Sequence, residues 1–181
     1  MATILGIEAD GGAVLAGDRQ LTEGDTVKSQ SKRHVFDFGD VGAAAVGDSG
    51  GVDEFERRLE SEVSDHETRQ GDPMSVTRLA NLASDLAAEQ GVEAIVAARD
   101  DREVARVRGI GADGGVVTDA TVALGSGAQV AIGILEGSDR HVSLDAAEQL
   151  ARDVLDTVAE RDTGTGDTVD TFRLESNSER L

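Results

Sequence analysis

Residues 1–22 read MATILGIEADGGAVLAGDRQLT. Two apolar stretches, Thr3–Ala9 and Ala13–Asp18, flank Asp10-Gly11-Gly12. An Asp-Gly pair between two β-prone runs predicts a tight hairpin. The second run ends in Ala16-Gly17-Asp18-Arg19-Gln20, which places an acid at the end of a strand that otherwise reads as core. Working outward, residues 19–31 are polar and read as irregular. RHVFDF (33–38), the Gly39-Asp40 turn and VGAAAVG (41–47) predict a second hairpin, whose small residues let another element pack close.

The period then changes from two to between three and four. Val52, Phe55, Leu59 and Val63 predict a helix from Asp48 or Ser49 to about residue 68. Asp72-Pro73 reads as an N-cap followed by a first helical residue, opening a helix that Gly91 stops. VEAIVAAR (92–99) and EVARVRGI (103–110) predict a third hairpin, and VVTDATVALGSG leads out of it. AQVAIGILEG is a short apolar helix, with Ser126 placed to cap it. Residues 143–161 form a longer helix capped by Ser143, DTGTGD (162–167) breaks it, and TVDTFRLE (168–175) alternates as a last strand. The order ββββ, αα, βββ, αα, β, joined early by hairpins, predicts an α+β fold: two antiparallel sheets between two helical layers. One domain over residues 1–175 is expected, with a polar, frayed tail at 176–181.

A chain of 181 residues is long enough for a full core. Aromatics are 2% of it, so the core must be built from aliphatic side chains. There is no Cys, which removes disulfides and thiolate metal sites, and three dispersed His do not suggest zinc. No cofactor and no metal are implied. The formal net charge is −19, from 36 acids against 17 bases, of which only Lys28 and Lys32 are lysines. Such a surface repels phosphate and argues against a nucleic-acid partner. It suits high ionic strength, where self-repulsion is screened. Without a long apolar run or a leader, a soluble, cytoplasmic protein with no membrane association is expected.

Four motifs in register carry a resemblance: VLAGDRQLTEGDTV, AVGDSG after the fourth strand, ALGSGAQVAIGIL, and ERDTGTGD before the last strand. Together they resemble the β-type subunits of the 20S proteasome and, over the first 35 residues, the bacterial peptidase HslV. The resemblance covers nearly the whole chain and implies the four-layer αββα sandwich of the N-terminal-nucleophile hydrolases. That family cleaves peptide bonds with an N-terminal threonine whose own α-amine is the base. An α-amine titrates near neutrality, at roughly 7.7–8.0, which suits that task.

Residue by residue, the resemblance implies that Asp18 is the acid of the second strand. Ser126 is the serine of the Gly-Ser-Gly turn, and Asp162 and Thr165 are the acid and hydroxyl of the late loop. The centre departs from the pattern. The nucleophile position falls on Ala2, the lysine position on His34, and a strand glycine position on Ala44. Read alone, Asp18 and Arg19 could form a strand-end ion pair, and His34 could be a satisfied strand histidine. Removal of Met1 would expose Ala2, which has an amine but no hydroxyl. Thr3 would become terminal after one further trimming, but alternation along a strand points it away from the Ala2 side. The expected function is a proteasome-like subunit with lost or much reduced threonine-peptidase activity and a structural or binding role. The alternative is an active peptidase or amide hydrolase using Thr3 or another nucleophile. The implied partners are further copies or related subunits in a ring, together with peptide.

Overall fold

The computed structural model describes residues 1–139 and 141–177. Strands β1 (Thr3–Ala9) and β2 (Gly12–Asp18) form the opening hairpin, with Gly11 at φ +86° in its turn. They lie at the centre of a four-stranded antiparallel sheet, in the order β10-β1-β2-β11, with β10 (Thr121–Gly125) and β11 (Val169–Glu175) at its edges. A five-stranded antiparallel sheet runs β5-β6-β7-β8-β9. Its strands are β5 (Val35–Asp37), β6 (Gly42–Val46), β7 (Glu93–Arg99), β8 (Ala105–Ile110) and β9 (Val116–Val117).

The period of two along each strand sorts side chains into three apolar layers. Ile4, Leu15, Ala44, Val46, Ile95 and Ala97 meet between the sheets. Their neighbours Ala43, Ala45, Ala94 and Val96 face Phe55, Leu59, Leu79 and Ala83 of α1 (Ser49–Gln70) and α2 (Val76–Gln90). Leu5, Ile7, Val14 and Ala16 face Ala131, Leu135, Ala151 and Leu155 of α3 (Ala128–Glu136) and α4 (Leu144–Arg161). The result is the expected αββα sandwich. Alanine and glycine let its layers approach closely: a Cβ placed on Gly42 would lie 2.5 Å from the Phe172 ring.

Several local expectations are corrected. Residues 19–31 hold a two-stranded ribbon, β3 (Leu21–Glu23) with β4 (Thr26–Ser29), whose polar side chains hid its strand character. α2 is capped by Ser75, which accepts from the Arg78 amide at 3.3 Å, and not by Asp72. The chain stays out of helix through Met74, whose side chain is buried in the core beneath α1 and α2. α3 is capped by Gly127 without a side-chain bond, so Ser126 is not its cap. Ser143 does cap α4, accepting from the Ala146 amide at 3.1 Å. Ser176 and Asn177 are tied by their amides to the carbonyls of Gly11 and Glu103, so the start of the tail is held; residues 178–181 lie outside the described residues.

Candidate functional site

One end of the sandwich gathers five segments: the head of β1, the end of β2, the lead into β5, the turn between β10 and α3, and the loop after α4. Ala2 is 1% exposed, and its methyl belongs to the apolar layer between the sheets, together with Val35 and Ala44. Its carbonyl accepts the Ser126 amide at 3.2 Å, which ties the head of β1 to the turn before α3.

Asp18 is fully buried, and its carboxylate accepts three backbone amides. They are Thr3 N–H at 2.8 Å on Oδ1, and Gln20 N–H at 3.0 Å and Gly166 N–H at 2.8 Å on Oδ2. Burial pushes its carboxyl above the usual range, while those amides, which favour the charged form, pull against it. No basic side chain pairs with Asp18 among the described residues, so the strand-end ion pair with Arg19 is not formed. Arg19 instead forks onto Asp170 at 2.8 and 2.6 Å.

His34 is buried beside Asp18 but addresses its backbone, with Nδ1 lying 2.8 Å from the Asp18 carbonyl oxygen. A carbonyl can only accept, so Nδ1 carries the proton and Nε2 keeps its lone pair in the neutral ring. Burial holds the imidazole below its ordinary pKa, against the Asp18 carbonyl and Coulombic attraction to the acid.

A second network lies on the helical side of β1. The Thr165 hydroxyl donates to Asp162 Oδ2 at 2.5 Å. Its single proton is then used, so Thr3, 2.8 Å away, donates its own hydroxyl to Thr165 Oγ1. Thr3 Oγ1 in turn accepts from the Gly127 amide at 2.9 Å. Ser126 Oγ is 2.6 Å from the same Asp162 oxygen and also contacts the Met1 carbonyl. Burial would raise Asp162, but the Ser126 and Thr165 hydroxyls and the Gly164 amide outweigh it and hold the carboxyl below its usual range. Beside this network a cavity of about 170 Å³ opens between Met1, Thr22, Ser126 and Asp162. The Met1 nitrogen donates to Thr22 Oγ1 at 2.5 Å.

Ala2, Thr3, Asp18, His34, Ser126, Asp162 and Thr165 therefore stand together at this end, with Ala44 packed beside Ala2. The groups that sequence reasoning missed are backbone amides, at Gly127 and Gly166, and the hydroxyl of Thr22. The glycines of GSG and GTG were the signal for the amides; a Cβ on Gly127 would lie 2.8 Å from Thr3 Oγ1. Among the described residues no cluster of His, Asp or Glu is arranged to hold a metal ion. No helix among them is long and apolar enough to cross a membrane.

A family model described as proteasome subunit matches residues 1–173. The chain is 36% identical over 172 residues to proteasome subunit beta 2 of Haloterrigena turkmenica, covering 92% of this chain and 73% of that protein. It is 38% identical over 174 residues to a proteasome subunit beta of Halomicrobium mukohataei, with the same coverage. It is 36% identical over 172 residues to a proteasome subunit beta of Halorhabdus utahensis, covering 91% and 72%.

Proposed function

The chain belongs to the proteasome subunit family, and from that premise we propose that it is a β-type subunit with little or no peptidase activity, serving a structural or binding role in an assembly of related subunits. The observation that carries this reading is the side chain at position 2. Whatever precedes it, Ala2 presents a buried methyl group where the family pattern implies a threonine hydroxyl. In a serine protease, loss of the nucleophile alone lowers turnover by about 10⁶.

The surrounding frame supports the same reading. Asp18 spends both oxygens on backbone amides, and a neutral imidazole at His34 stands where an ammonium would help set an amine's pKa. These groups hold the end of the sandwich together without a nucleophile to serve. The geometry also weighs against Thr3 as the substitute. Its hydroxyl is fully buried, donates to Thr165 and accepts from Gly127, on the opposite side of β1 from the Ala2 methyl. Freeing it would cost both bonds and a one-residue slip of β1, which moves every side chain of that strand to the other face.

The test is a peptidase assay on the purified protein, with its N-terminus defined by intact mass. No hydrolysis of fluorogenic peptides above background, and no covalent adduct with a threonine-directed epoxyketone, are expected. Epoxyketone-sensitive turnover would overturn the reading, and a chain beginning at Thr3 in that sample would favour the alternative.

A further inference from the structure

A cavity of about 470 Å³ lies away from the site just described, along the outer edge of β10. Its apolar floor is made by Ile7, Leu135, Val142 and Leu150. Asp119 and Glu136 stand on its rim, both exposed, and among the described residues neither has a basic partner. Glu8, also at the groove, is neutralised by Arg106 and Arg108.

The edge strand itself is unfinished. The Ser126 amide bonds to the Ala2 carbonyl and the Glu8 amide to the Ala120 carbonyl, at the two ends of the β1–β10 ladder. With Thr3 opposite Gly125 and Ile7 opposite Thr121, the even-numbered residues of β10 exchange hydrogen bonds with β1. The N–H and C=O groups of Thr121 and Ala123 therefore point to the other edge, where no strand lies among the described residues. Ala123 is only 4% exposed, so its peptide group is nearly cut off from solvent. Peptide groups in that position are costly to leave unpaired.

We propose that the groove beside β10 is a docking site for an extended peptide segment of a partner protein, in which apolar residues alternate with Arg or Lys, and that this segment adds as a fifth strand to the β10-β1-β2-β11 sheet. Extended backbone answers the unpaired peptide groups. Alternate side chains of an added strand fall on the apolar floor, and a positively charged segment suits an approach past the Asp119 and Glu136 carboxylates. At the low salt of the test below, a second copy of this chain is the poorer occupant, because a net charge of −19 meets itself across an acidic rim. The inference does not depend on the state of Ala2.

The test is binding of fluorescein-labelled Arg-Val-Arg-Val-Arg-Val, followed by anisotropy at the lowest salt at which circular dichroism shows the native fold. Saturable binding is expected, with slowed amide hydrogen exchange at Thr121 and Ala123. Glu-Val-Glu-Val-Glu-Val should not bind. Ala123→Pro deletes one outward N–H without touching the β1 ladder and should weaken binding at least tenfold. Asp119→Asn with Glu136→Gln should weaken it several-fold, while Glu62→Gln with Asp72→Asn, the same charge change elsewhere, should not. The charge pair keeps the test decisive if the proline variant does not fold. No saturable binding, equal binding of the acidic peptide, or equal loss in both charge pairs would overturn the proposal. So would protection of Thr121 and Ala123 that rises with protein concentration alone, since that would assign the edge to a second copy.

Discussion

His34 directs Nδ1 to the backbone carbonyl of Asp18 at 2.8 Å, while the carboxylate of Asp18 is taken up by the amides of Thr3, Gln20 and Gly166. The two side chains are neighbours, yet they do not form a charged pair. Under the proposed reading of position 2, supplying a hydroxyl there is not enough. Ala2→Thr alone is expected to give little hydrolysis, because the neutral imidazole remains. Ala2→Thr with His34→Lys, in a chain whose N-terminus is the new threonine, is expected to give measurable peptide turnover and an epoxyketone adduct. The gain should exceed the sum of the single changes, since groups acting as a unit are not additive. A folded double variant with neither turnover nor adduct would refute the correspondence at this site.

The burial of His34 sets a pH dependence of stability. Its folded pKa lies below its unfolded value of about 6.5, so the unfolded chain binds the proton first. The stability from keeping the ring neutral is complete above about pH 6.5. It is lost as pH falls toward the folded pKa, at no more than about 1.4 kcal/mol per pH unit. Denaturant unfolding from pH 8 to pH 5 should show this loss, and His34→Gln should remove that part of the slope. An unchanged slope in the variant would show that another group is responsible.

Thr3 is expected to be a structural hydroxyl. Thr3→Val leaves the buried Gly127 amide without its acceptor and Thr165 Oγ1 without its donor, at a cost of about 1–3 kcal/mol. Thr3→Ser should restore most of that. A double-mutant cycle with Thr165→Val should show coupling between the two hydroxyls, and additive losses would contradict the shared bond.

The two sheets should tolerate little bulk at Gly42, where a Cβ would sit 2.5 Å from the Phe172 ring. Gly42→Ala is expected to destabilise by about 1–3 kcal/mol in urea unfolding, and Phe172→Leu to recover part of the loss in the double variant.

Assembly should depend on salt. With a subunit charge of −19, association is expected in molar salt and dissociation near 0.01 M, where the Debye length is about 30 Å. Sedimentation velocity at the two concentrations checks this, and a monomer in both would contradict it.

Periodicity alone determined much of the fold. Val52, Phe55, Leu59 and Val63 marked α1, and the alternation of β1 and β2 put Ala2 and Thr3 on opposite faces. These are local properties, because the period reports which side of an element is buried. Family-like motifs located Asp18, Ser126, Asp162 and Thr165, but not what they bond to. That Thr3 pairs with Thr165, 162 residues away, follows only when the sheet and α4 pack. The same holds for the three amides that saturate Asp18, because backbone groups carry no residue-specific signal. Burial of Met74 delayed α2 to Ser75, and the turn before α3 used Ser126 for Asp162 rather than as a cap. Sequence fixes what each side chain can donate or accept; tertiary packing chooses the partner, because a hydrogen bond needs two groups within about 3 Å.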